Sequence, residues 1–110
     1  MEISYKSEKL KKTLTDNREI VKSFGERARK IRLRLMQSKA AKTLAEIKTL
    51  PAVHCHALKG NRTGQVAINI SENWRLIFEP DHSSLRTLED GNSDWTKITK
   101  ITILEISDYH

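Results

Sequence analysis

The sequence predicts a two-layer α+β domain, with N-terminal helices packed on one face of a mostly antiparallel sheet of about four strands. Two observations carry this. Apolar residues recur at intervals of three and four through the first half of the chain, and at intervals of two from Val66 onward, a switch from the helical to the strand period. The 110 residues suffice for one hydrophobic core and are too few for two, so residues 1–110 form a single domain.

The elements follow in chain order. Leu10 and Leu14 are spaced i, i+4 and mark a first helix. Phe24, Ala28, Ile31 and Leu35 form one stripe of a second. Arg27, Lys30 and Arg34 share another face of that helix, flanked by Arg29 and Arg32, and make a basic ridge. Leu44, Ile47 and Leu50 belong to a shorter amphipathic helix stopped by Pro51. Beyond it, "GQVAINI" sets Val66, Ile68 and Ile70 on one side of a strand. "NWRLIFEP" does the same for Trp74, Leu76 and Phe78, with Arg75 and Ile77 opposite. Ser71–Glu72–Asn73 is short enough to close the two into a hairpin. The polar "DHSSLRTLEDGNSDW" reads as a long loop with a turn at Asp90-Gly91. "KITKITILEIS" is β-branched and apolar on both faces at its middle, as befits an interior strand.

Charge divides unevenly. Residues 1–60 hold 15 Lys/Arg against 6 Asp/Glu, and residues 61–110 hold 5 against 8, so the net +6 is made of a +9 half and a −3 half. A basic half points to a polyanionic partner, most simply nucleic acid. The chain lacks any apolar run of membrane-spanning length, and "MEISYKSEKL" has no signal-peptide core. A lone cysteine, Cys55, offers no internal disulfide. Both features suit the cytoplasm.

Chemically capable residues fall in two clusters. In "HCHALKGNRTG", His54 and His56 share a strand face, but no carboxylate or cysteine pattern beside them completes a metal site. Lys59, Arg62 and the backbone near Gly60 and Gly64 form a cationic turn suited to phosphate. In "EISDYH", a final strand delivers Asp108, Tyr109 and His110 to the sheet rim, with Asp108 and His110 on one face. Arg75 interrupts an apolar strand, where a guanidinium needs an anionic partner, an in-fold Glu79 or Glu105 being the plain choice. The chain carries no Gly-rich nucleotide loop, no Ser-His-Asp signature and no metal box. Imidazoles, a phenol, a carboxylate and cations are the set with which RNA is cleaved by its own 2′-hydroxyl, one group taking that proton and another protonating the departing 5′-oxygen. Such chemistry needs no cofactor.

The combination His56-x-Leu58-Lys59-Gly60-Asn61-Arg62-x-Gly64, then Asn73-Trp74-Arg75, then the terminal Asp108-Tyr109-His110 resembles the HigB branch of the RelE/ParE toxin superfamily. The resemblance covers most of the chain in order and is densest over 50–79 and 101–110. It implies a RelE/ParE-like fold and a ribosome-dependent mRNA endonuclease acting in the A site of the 70S ribosome. It also implies restraint by a HigA-like helix-turn-helix antitoxin. By motif, it assigns catalysis to His56, Arg75, Asp108, Tyr109 and His110, and RNA or phosphate binding to Lys59 and Arg62; the ridge of Arg27, Lys30 and Arg34 would grip ribosomal RNA. Asn61 departs from the aspartate common at its position, and the Pro80–Lys97 loop is longer than in compact members. ParE-branch relatives, which poison DNA gyrase without acid–base chemistry, and a plain RNA-binding or decayed module that mainly binds an antitoxin remain the alternatives.

Overall fold

The computed structural model describes residues 1–81 and 94–108. The chain opens with a strand, β1 (Glu2–Tyr5), and continues through α1 (Glu8–Thr15), α2 (Asn17–Phe24), α3 (Ala28–Ala40) and α4 (Leu44–Lys48). The strands β2 (His56–Ala57), β3 (Val66–Ser71), β4 (Trp74–Pro80) and β5 (Lys100–Asp108) follow. The described sheet has five strands in the order β1-β5-β4-β3-β2, antiparallel except for the parallel β1–β5 pair.

Local chemistry sets the helix boundaries. Ser7 caps α1 by accepting from the Leu10 amide at 3.1 Å, and Asp16 caps α2 by accepting from the Arg18 and Glu19 amides at 2.8 and 3.1 Å. These bonds favour the carboxylate and hold the Asp16 pKa below its ordinary value, the Glu19 amide contributing most. Gly25, at φ 55°, breaks the basic segment into α2 and α3 with a 3₁₀ turn between them. The expected apolar stripe therefore spans two helices. α4 ends at Lys48, two residues short of Leu50.

The expected hairpin is present, with β3 and β4 in antiparallel register from Val66↔Phe78 to Ser71↔Trp74. The core lies between sheet and helices. Leu14, Ile20, Ala28, Ile31, Leu44 and Ile47 meet Val66, Ile68, Ile70, Leu76, Phe78, Ile101 and Ile103 there. β5 is interior, as its apolar character indicates, because β1 occupies its far side. β1 is the strand the apolar pattern does not announce: only Ile3 and Tyr5 punctuate it, and its partner lies at the other end of the chain, Ile3 opposite Ile101. Residues 82–93, with the Asp90-Gly91 turn, and Tyr109 and His110 lie outside the described residues. None of the described helices is long and apolar enough to cross a membrane.

One irregularity decides which side chains face away from the helices. Ile77 pairs with Glu105 but Phe78 pairs with Ile103, so Leu104 is an extra residue in β5, a β-bulge. Ile103 and Ile106 both turn toward the core, and Glu105 and Ser107 face the opposite side with Ile77 and Arg75. Asp108, paired with Trp74, comes out on the helix-layer side.

Candidate functional site

Two cross-strand rows line the face away from the helices. One runs His56–Ala67–Ile77–Glu105 across β2, β3, β4 and β5, and the next runs Asn69–Arg75–Ser107. His56 is exposed on β2, which offers only two residues of ladder before the chain leaves the sheet. Its ring is nonetheless fixed. Nδ1 lies 2.9 Å from the main-chain oxygen of His54; a carbonyl only accepts, so Nδ1–H is the donor, which leaves Nε2 for other partners. His54 has φ 48° and Ala52 φ 66°, left-handed conformations that are costly for residues with a Cβ. His54, without a motif role in the sequence, thus supplies the carbonyl that orients His56.

The strained turn is braced from behind. Arg34 is 3% exposed, not on a solvent-facing ridge. Its Nε donates to the Asn69 carbonyl at 2.5 Å, Nη1 to Gln37 Oε1 at 2.9 Å and Nη2 to the Ala52 carbonyl at 3.3 Å. The expectation that Arg34 joins an RNA-gripping face with Arg27 and Lys30 is corrected accordingly. Position 34 lies three residues after Ile31 and four before Ser38, both fully buried, and so belongs to the inner side of α3. Burial lowers the guanidinium pKa, and its hydrogen bonds go to groups the sheet leaves open. Past Ala67, β2 no longer covers the β3 edge, and there the Asn69 amide donates to the Val53 carbonyl at 2.7 Å while its oxygen takes Arg34.

Asn69 also reaches the outer face, where its Oδ1 accepts from Arg75 Nη1 at 2.7 Å. The same nitrogen is within 3.2 Å of the Ser71 carbonyl and 3.1 Å of the Trp74 carbonyl. Neither Glu79 nor Glu105 pairs with Arg75; among the described residues no salt bridge neutralises it. Glu105 is taken instead by Arg62, Nη2 to Oε1 at 2.5 Å, with Arg62 Nη1 donating to Gln65 Oε1 at 2.8 Å. Arg62 closes a 3₁₀ turn begun by Gly60, whose φ of 67° is easy only for glycine. Lys59 precedes that turn and is exposed. Asn69 lies outside every motif, and Glu105 enters the sequence reading only as a possible partner of Arg75. The readable signal is a polar residue alone in each of the apolar runs "VAINI" and "ILEI".

Arg27 and Lys30 are exposed near the other end of β4. The Arg27 guanidinium sits 4.6 Å above the Trp74 ring, and Phe24 meets that ring edge-on at 6.5 Å. Asp108 neighbours this cluster through its pairing with Trp74, so it does not share the Arg75 face. Tyr109 and His110, the other two members of the terminal triplet, lie outside the described residues. Among the described residues no three His, Cys, Asp or Glu side chains converge as a metal-binding group.

Comparison with known proteins agrees with the fold. The family of RelE-like toxins of the type II toxin–antitoxin system HigB matches residues 3–89, which leaves out the terminal triplet. No curated protein matches the sequence. Among solved structures, the YoeB/ParE toxin from Agrobacterium tumefaciens is similar over 100% of both chains, at 12% identity and a TM-score of 0.59. The YoeB–YefM complex from Staphylococcus aureus is similar over 100% of this chain and 97% of the other, at 16% identity and a TM-score of 0.56.

Proposed function

The chain belongs to the HigB family of RelE-like toxins of type II toxin–antitoxin systems, and from that premise we propose that it is a metal-independent endoribonuclease that cleaves mRNA in the ribosomal A site. The observation that carries this reading is the outer sheet face. An imidazole held at Nδ1 by the His54 carbonyl shares it with Arg75, a guanidinium whose bonds among the described residues go only to neutral oxygens.

In the proposed reaction the 2′-oxygen of the RNA attacks the adjacent phosphorus as its proton leaves, and the 5′-oxygen departs with a proton from a second group. His56 through Nε2 and His110 share these two transfers. Arg75 and Lys59, joined by Arg62, stabilise the charge that gathers on the phosphoryl oxygens. Asp108 orients a histidine or stabilises its charge, and Tyr109 stacks on a base or positions the phosphate. Arg27 and Lys30 contact ribosomal RNA, without Arg34. The partner that restrains this activity is an antitoxin, here proposed to be of the HigA-like helix-turn-helix kind, and the place of action is the cytoplasm.

The deciding experiment is in vitro translation with purified 70S ribosomes, read by primer extension. Discrete cuts within translated mRNA are expected. Intact mRNA together with trapped DNA gyrase would replace this reading with that of a ParE-like gyrase poison, and neither effect would leave a module that only binds RNA or an antitoxin.

A further inference from the structure

Glu105 raises a question of its own. A carboxylate among the cations of a phosphate-binding face ought to repel the ligand, yet it holds one of the arginines assigned to that ligand. It does not act mainly as a fold support, because the Arg62 and Glu105 side chains are 36% and 43% exposed, a setting in which an ion pair contributes little to folding. Nor does it terminate Arg62. The guanidinium has five N–H groups in a rigid fork, of which Glu105 Oε1 and Gln65 Oε1 each take one. Three remain, enough for a two-point grip on a phosphate. The two acceptors come from different parts of the sheet, Gln65 just before β3 and Glu105 within β5, so they fix both the position and the plane of the group. Between Glu105 and β2 in the same row lie Ala67 and Ile77, both fully buried although they face away from the helices.

We infer that Glu105 is a positioning residue. Its carboxylate, with Gln65, holds the Arg62 fork oriented over the outer sheet face so that the free N–H groups meet an RNA phosphate without first being ordered. The bulge at Leu104 is what makes this possible, since strict alternation from Ile103 would turn Glu105 into the core. Glu105 acts through Arg62 and takes no proton from the substrate. The inference rests on the endonuclease reading for its consequence in catalysis, but its binding consequence stands apart from cleavage.

The test is a double-mutant cycle on Arg62→Ala and Glu105→Ala, with Glu105→Gln as the conservative variant. Two readouts are used: kcat and KM for mRNA cleavage, and affinity for a single-stranded RNA made uncleavable by 2′-deoxy substitution. Glu105→Ala should weaken affinity for the uncleavable RNA and lower kcat/KM by roughly 5–50-fold, the scale of a misplaced positioning group. Glu105→Gln, which keeps the acceptor, should recover most of this, and in the Arg62→Ala background Glu105→Ala should have no effect. Tighter binding by Glu105→Ala would show that the carboxylate masks Arg62, and overturn the inference. So would a loss in Glu105→Gln equal to that in Glu105→Ala, persisting without Arg62 and removing the acid limb of the pH profile, since Glu105 would then be a proton-transfer group. A wild-type protein that cleaves nothing while the affinity cycle behaves as expected would sink the endonuclease reading and leave this one standing.

Discussion

His56 Nδ1 is held 2.9 Å from the carbonyl oxygen of His54, two residues back in a turn where His54 itself sits at φ 48°. The imidazole of one histidine is thus oriented by the backbone of the other, and the two side chains are expected to behave very differently on replacement. His56→Ala should lower mRNA cleavage by roughly 10²–10⁴-fold, the scale for losing a general acid or base, with an unchanged circular dichroism spectrum. His54→Ala keeps the carbonyl and should retain cleavage within a few-fold. Comparable losses in both variants, measured on equally folded protein, would mean that the His54 side chain takes part.

The basic ridge divides by burial. Lys30→Glu and Arg27→Glu together should weaken ribosome binding and flatten its salt dependence by about two charges' worth of slope, without altering the cleavage step. Their cost in stability should not exceed the ~0.5–1 kcal/mol of an exposed cation–π contact, the one Arg27 makes with Trp74. Arg34→Met should do the reverse. It leaves the part-buried carbonyls of Asn69 and Ala52 without their donor, whichever water cannot reach costing ~1–3 kcal/mol, and should lower Tm while leaving the salt slope intact. Denaturant melts and binding titrations at several salt concentrations check both halves.

Cys55 supplies a pH prediction. It is 8% exposed, and burial pushes its thiol from 9.0 up to about 12, with the charge of Lys48 opposing weakly. The folded state keeps a proton that the unfolded chain releases near pH 9. The stabilisation is therefore fully present below that pH and is lost as pH rises from about 9 to about 12. Melts between pH 8 and 11 should fall more steeply for the wild type than for Cys55→Ala. That variant is the necessary reference, because burial also raises the Tyr5 phenol. A thiol reagent at pH 8 should modify Cys55 only after denaturation, and rapid modification of the native protein would contradict this.

The chemistry proposed for the outer face fixes the products. Because the nucleophile is the 2′-hydroxyl of the RNA, fragments should end in a 2′,3′-cyclic phosphate or its opened form, and cleavage should survive chelation. Ribosomes need magnesium themselves, so chelated and untreated samples are compared only where the ribosomes stay intact. End-group analysis that returned 3′-hydroxyl and 5′-phosphate termini would require another mechanism.

Much of this architecture was legible because it is periodic. The β3–β4 hairpin, the interior character of β5 and the apolar stripe through Ala28 and Ile31 follow from spacing alone. What was not legible depends on partners distant in sequence or on a broken period. β1 exists because Ile101 is there to pair with Ile3. Spacing from Ile31 puts Arg34 on the inner side of α3, but an arginine is tolerated there only because the open edge of β3 and the Ala52 turn offer it carbonyl acceptors, which the sequence does not display. The single extra residue at Leu104 exchanges the faces of Glu105 and Asp108, which no alternation rule anticipates. Of the site, the motif residues His56, Arg62 and Arg75 do share one sheet face, whereas Asp108 stands on the other, and Arg62 is already engaged by Glu105.

The parallel pairing of β1 with β5 also bears on how the protein is made. Of the five described strands β1 leaves the ribosome first, yet its neighbour in the sheet, and the neighbour of β4 as well, is the last of them to be translated. Ile101 and Ile103 carry the central part of the core, so the helices and the β3–β4 hairpin have no complete surface to pack against until synthesis reaches them. Folding is deferred until β5 has been translated, with the long-range contacts that slow a chain's folding. An unfinished chain lacks the strand that carries Glu105 and joins β1 to the rest. A premature stop anywhere before β5 should therefore yield a polypeptide that neither folds nor arrests growth, so that a stop between β4 and β5 inactivates the protein as fully as one just after β1.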